Sequence, residues 1–167
     1  MDGLIVSAPS VGNYQNLPLI GRMEISLPML KMLTPILGIG AMFLPNFGVP
    51  GTQIDPQYLN HDKANYMAYA EDPLVCHEPM KLRFSAEAGK NILSLQDNAQ
   101  NLKVPCLIMC GSEDMLVPPK SVKNFYENVQ IEDKTFIEYE GFYHEIFNEG
   151  DNRRVYAGVD SWFLPRI

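Results

Sequence analysis

Val104-Pro105-Cys106-Leu107-Ile108-Met109-Cys110-Gly111-Ser112-Glu113-Asp114 is the stretch on which the rest of the chain depends. An apolar run from Pro105 to Cys110, closed by Gly111, is the pattern of a strand buried on both faces, and such strands belong to parallel sheets covered by helices. Cys106 and Cys110 lie four positions apart, on one face of that strand, and read as buried structural thiols. Gly111-Ser112-Glu113-Asp114 then forms the turn leaving the strand's C-terminal end, where open parallel sheets gather their working residues.

Working outward, Pro118 and Pro119 open a helix whose apolar face carries Val122, Phe125, Tyr126 and Val129. Residues 135–139 alternate as a further strand, and Glu140-Gly141-Phe142-Tyr143-His144 leaves its end. Val155, Val159, Trp162 and Phe163 mark one side of a last helix. Upstream, Phe84, Ala88, Ile92, Leu95 and Ala99 recur at spacings near four, the stripe of an amphipathic helix. Leu4-Ile5-Val6, followed by the turn-forming Ser7-Ala8-Pro9, reads as another strand buried on both faces. Strand, long insertion, helix, strand, helix, strand, helix is the alternation of an α/β fold with a parallel sheet. An edge as apolar as Leu4-Ile5-Val6 invites association if left open. Neighbouring strands are therefore expected from a complementing N-terminal half or from another chain.

Between Asn13 and about Arg83 the sheet pattern disappears: prolines and glycines divide short apolar pieces, Met and Tyr are frequent, and no repeat is present. This is the composition of an inserted lid. Residues 27–44 carry Lys31 as their only charge, but Pro28, Pro35, Gly38 and Gly40 divide them, which predicts broken apolar helices facing a pocket or another surface, not a membrane span. The Met- and Leu-rich residues 23–47 suggest a flexible lipophilic contact, including peripheral contact with membrane driven by apolar area.

The bulk properties narrow the partners. With 167 residues, 46% of them hydrophobic, the chain can bury one core, and a formal charge of −7 excludes a surface built for nucleic-acid phosphates. The three cysteines, Cys76, Cys106 and Cys110, cannot all pair and form no metal-ligand spacing, so a reduced, cytoplasmic setting is expected. Met1-Asp2-Gly3-Leu4 has no basic region, and its apolar run is too short for a signal peptide. No Gly-rich phosphate loop or dinucleotide fingerprint is present, and neither a cofactor nor a metal is expected.

Asp114 and His144 each follow a strand end. An imidazole takes a proton from a serine hydroxyl only when its tautomer and ring angle are fixed, which a buried carboxylate on the other ring nitrogen achieves. Acid before base is the chain order of the α/β-hydrolase triad, whose nucleophile precedes both. Taken singly, Asp114 could be a turn residue and His144 a structural imidazole, and Glu113 is an alternative acid. Ser112 fits a turn role. His61 and His77 belong to the lid without a metal-like cluster, and the adjacency of Cys76 to His77 does not provide the geometry of a thiolate pair.

Three blocks resemble the monoglyceride lipase, lysophospholipase and serine aminopeptidase family: Leu4-Ile5-Val6-Ser7-Ala8-Pro9, the stretch Val104 to Asp114 quoted above, and Tyr139-Glu140-Gly141-Phe142-Tyr143-His144-Glu145. Asn148-Glu149, Arg154, Val155, Val159 and Trp162-Phe163-Leu164 resemble its final helix. The resemblance implies the C-terminal part of an α/β-hydrolase fold, three parallel strands with flanking helices, with residues 11–83 as a helical cap over a lipophilic substrate tunnel. It places the catalytic acid on Asp114 and the general base on His144. The family's Gly-x-Ser-x-Gly elbow and oxyanion-hole loop do not occur in this sequence. Ala8-Pro9-Ser10-Val11-Gly12 imitates the elbow and makes Ser10 the one substitute nucleophile on offer. An elbow needs a helix immediately behind the serine, whereas Asn13-Tyr14-Gln15-Asn16-Leu17-Pro18 reads as a loop. The implied substrate is a lipophilic carboxylic ester of the monoacylglycerol or lysophospholipid class, and the 167 residues alone are expected to be inactive. Two alternatives stand beside this: an aminopeptidase, for which Glu71, Asp72 or Glu78 would receive a free amine, and a non-catalytic binding module.

Overall fold

A computed structural model describes residues 3–12 and 25–167. The readings of the first two residues, of the loop at 13–18 and of Met23 fall outside that range. Three parallel strands, β1 (Leu4–Ser7), β2 (Cys106–Gly111) and β3 (Lys134–Tyr139), form a sheet in the order β1-β2-β3. Val6 stands opposite Ile108, and Ile108 opposite Phe136. Five α-helices accompany them among the described residues: α1 (Leu27–Phe43), α2 (Lys63–Glu71), α3 (Leu82–Asn98), α4 (Pro119–Asn128) and α5 (Arg153–Phe163). The architecture is a three-stranded parallel α/β layer, with each crossover between neighbouring strands made by helices.

Every residue of β2 is buried, and its alternation divides the core in two. Cys106, Ile108 and Cys110 face Val117, Val122 and Val129 on the α4 side, where Leu4, Val6 and Phe136 pack as well. Leu107 and Met109 face Val155 and Trp162 of α5, together with Tyr139, Phe142 and Ile146. The thiols at 106 and 110 thus share one face, as their spacing predicts.

Three expectations need correction. β1 is not buried on both faces: Leu4 and Val6 turn to the core, while Ile5 is 37% exposed. Among the described residues β1 is an edge strand, paired with β2 alone, and apolarity of a run reports what it can bury, not what covers it. Residues 27–44 do not form broken helices, because α1 runs unbroken from Leu27 to Phe43. Pro28 sits in the first turn, where no amide proton is required, the Ser26 hydroxyl caps Met29 N, and packing against α3 holds the helix through Pro35. The buried face of α3 matches the apolar stripe read from the sequence only in part. Ile92 is buried, as is Ala99 just beyond the helix, but Phe84 and Leu95 are exposed, and Ala86 and Gly89 are buried in their place. A Cβ at Gly89 would lie 2.7 Å from the Thr34 hydroxyl, so the seam is chosen for close approach of the two backbones. Outward from that seam, Met32, Ile36, Ile39, Met42 and Phe43 of α1 are exposed. No helix among the described residues is long and apolar enough to cross a membrane.

Cys76 is exposed, whereas Cys106 and Cys110 have no accessible surface. Burial, helped by the charges of Glu138 and Asp114, pushes the Cys110 thiol up to about 12, and burial raises Cys106 in the same direction. A thiol reagent at about pH 8 should therefore modify one of the three cysteines in the native chain, and all three only after denaturation. The same shift has a sign for stability. Because the folded chain resists ionising Cys110, its contribution is complete below the ordinary thiol value of 9.0 and is lost as pH rises towards about 12. Equal reactivity of all three thiols in native buffer would contradict both statements.

Candidate active site

The end of β2 and the end of β3 touch backbone to backbone. A Cβ on Gly111 would lie 2.1 Å from the Phe142 carbonyl oxygen and 2.3 Å from that of Tyr143. Only glycine leaves room for this approach. Ser112 N donates to Tyr139 O at 2.9 Å and Glu113 N to Phe142 O at 3.0 Å. Gly141 N donates to the Ser112 hydroxyl at 2.8 Å, the turn role expected of Ser112. Gly141 itself turns through φ 74°, which brings the chain back over the strand end.

On this stitched pair of turns the structure brings Asp114 and His144 together, Oδ2 to Nδ1 at 2.8 Å, although they are 30 positions apart in sequence. The carboxylate is fully buried, and the imidazole keeps 23% of its side-chain surface. Asp114 Oδ1 accepts from Leu116 N at 2.8 Å and Val117 N at 2.9 Å, so backbone donors fix its plane. A carboxylate accepts and cannot donate, which puts the imidazole proton on Nδ1 and leaves the Nε2 lone pair free for a proton from elsewhere. Glu113, the alternative acid, is exposed and meets the β3 loop through its backbone N–H alone.

Ser10 is exposed in the turn beyond β1, where Ala8 has φ 41°. No helix begins at Val11 or Gly12, the two described residues behind it. His77 has its Nε2 3.3 Å from Asp72 O and lies edge-on to Tyr69. Among the described residues no group of three His, Cys, Asp or Glu side chains could hold a metal ion.

His61 has a partner that the sequence did not suggest. Its Nδ1 lies 2.9 Å from Glu149 Oε1, and its ring lies over Tyr143 with centroids 3.7 Å apart. Glu149 is buried and also accepts from Tyr143 N at 2.8 Å, one residue before His144. No local pattern announces a contact between positions 88 apart.

A parallel sheet with a buried carboxylate and a mostly buried imidazole meeting at adjacent strand ends is the arrangement of the α/β-hydrolase class. The sequence profile described as serine aminopeptidase, S33 matches residues 1–151. The chain belongs to that family of hydrolases. It is 26% identical to a monoacylglycerol lipase of Mycolicibacterium smegmatis across 98% of this chain and 54% of that protein. It is 28% identical to the monoglyceride lipase of Mus musculus across 98% of this chain and 55% of that one. A crystal structure of the Paleococcus ferrophilus monoacylglycerol lipase superposes with a TM-score of 0.82 at 21% identity, covering all of this chain and 60% of that one. The chain spans about half the length of the curated relatives it matches.

Proposed function

We propose that these residues are the acid and base half of a serine esterase acting on lipophilic carboxylic esters, of the monoacylglycerol or lysophospholipid class. The observation carrying the proposal is the bond between the buried Asp114 carboxylate and His144 Nδ1. In the completed enzyme, a serine supplied outside these 167 residues gives its proton to His144 Nε2 as its oxygen attacks the ester carbonyl. The imidazolium, held by Asp114, then protonates the departing alcohol. Water attacks the acyl-serine with His144 again as base, releasing the acid. Residues 11–83 serve as the cap, and the exposed apolar side of α1 faces the lipophilic substrate or a membrane surface.

Two of the three lid carboxylates weigh against the aminopeptidase alternative, while Glu71 stands exposed at the end of α2. Asp72 Oδ1 accepts from Leu74 N at 2.8 Å, and Glu78 pairs with Lys81 at 2.5 Å, which lowers the Glu78 pKa. Both are engaged locally.

Two measurements test the proposal. A fluorophosphonate probe should leave the 167-residue chain unlabelled, and labelling at Ser10 would revive the imitation elbow. A protein completed with a serine-bearing upstream segment should turn over a monoacylglycerol and leave an aminoacyl arylamide untouched. The reverse preference would assign the peptidase, and no turnover of either would leave the binding module.

A further inference from the structure

The segment following the 3-10 turn at Pro56–Tyr58 lies directly on the loop that carries His144. Glu145 N donates to Leu59 O at 2.7 Å, the Asn60 amide donates to Glu145 Oε2 at 2.9 Å, and the Asn65 amide donates to Asn148 O at 2.9 Å. At the centre is Glu149, whose side chain is 3% exposed. Removing a carboxylate from water is costly unless donors surround it. Here the donors come from two directions: His61 N at 3.2 Å and His61 Nδ1 from the lid side, and Tyr143 N from the base loop. The His61 ring closes the arrangement by lying over Tyr143. An Asp or Glu buried this deeply beside the base loop, bonded to the residue before the base, sets where that loop sits.

We propose that Glu149 and His61 are a positioning pair that holds His144 on Asp114, so that the seating of residues 59–65 against the base loop governs the geometry of the imidazole. This rests on the reading of Asp114 and His144 as acid and base. Neither His61 nor Glu149 touches the reacting atoms. Both act through Tyr143, and the consequence is a lid whose position is felt at the base: displacing residues 59–65 withdraws the donors that keep Tyr143, and with it His144, in register with the buried carboxylate.

The test follows the proton on His144 Nδ1 by NMR of the 167-residue chain with labelled histidine, reading its exchange with solvent. His61→Ala removes one charge-assisted bond and the ring contact from a half-exposed position, and should speed that exchange about tenfold. Amides of β2 should keep their protection. His61→Asn, whose side-chain amide reaches the same carboxylate, should restore much of the slow exchange, and Glu149→Gln should fall between. Unchanged exchange in His61→Ala and Glu149→Gln, with Asp114→Asn still removing the slow Nδ1 proton, would overturn the positioning role and leave the acid and base intact. Loss of β2 protection together with fast exchange would also overturn it, since the pair would then be holding up the fold as a whole. If Asp114→Asn itself changes nothing, the reading of the acid fails and the positioning role goes with it.

Discussion

Asp114→Asn, in an enzyme completed by a serine-bearing upstream segment, should lower turnover about 10⁴-fold and leave the fold and the KM nearly unchanged. The size of the effect follows from which atoms the carboxylate serves. Oδ1 accepts from two backbone amides, Leu116 N and Val117 N, and those donors will keep an asparagine's oxygen on their side. The amide nitrogen must then take the place of Oδ2, 2.8 Å from His144 Nδ1. A donor now faces Nδ1, so that nitrogen has to accept and the ring proton moves to Nε2. The base is lost by a change of tautomer, with every heavy atom still in place. Steady-state kinetics with circular dichroism as a control for folding will check this. Turnover within about tenfold of the parent would mean that Asp114 does not orient the base.

How far this site could be read in advance depended on what each signal measures. β2 is legible because an apolar run from Cys106 to Cys110 closed by Gly111 admits few other readings, and Asp114 and His144 are legible because strand ends of parallel sheets are where such groups meet. The errors have one cause. Ile5, Phe84 and Leu95 are apolar and fall on faces whose pattern predicts burial, yet all three are exposed, because burial is decided by partners and not by composition. On α3 the partner is α1, and the closest approach falls where Gly89 meets Thr34, not where the largest side chains lie. The continuity of α1 through Pro35 has the same origin, since packing can hold a helix across one missing hydrogen bond. Glu149 and His61 were out of reach for a different reason: a contact between positions 88 apart leaves no periodicity, and each residue alone looks like an ordinary polar side chain.

Among the described glycines, Gly111 is the one whose added methyl would strike backbone atoms closer than 3 Å, and Gly111→Ala should be strongly destabilising. The methyl would arrive 2.1 Å from Phe142 O, 2.3 Å from Tyr143 O and 2.5 Å from Phe142 C, all of them backbone atoms that no rotamer change can move aside. Either β2 shifts, which a strand buried on both faces resists, or the loop from Gly141 to His144 lifts away. The second is easier. It breaks the bonds from Glu113 N to Phe142 O and from Gly141 N to the Ser112 hydroxyl, and carries His144 off Asp114. Overpacking of this kind costs about 3 kcal/mol, roughly 6–12 °C in Tm for a chain of this size. Gly141→Ala is the informative contrast. That glycine has φ 74° and nothing within 4 Å of a new Cβ, so only the left-handed backbone resists the change, at about 1–2 kcal/mol. Thermal unfolding of the two variants should therefore rank Gly111→Ala well below Gly141→Ala, with the slow-exchanging His144 Nδ1 proton lost in the first and kept in the second. Equal stability, or a His144 proton indifferent to Gly111→Ala, would mean that the close approach of the two strand ends does not hold the acid and the imidazole together.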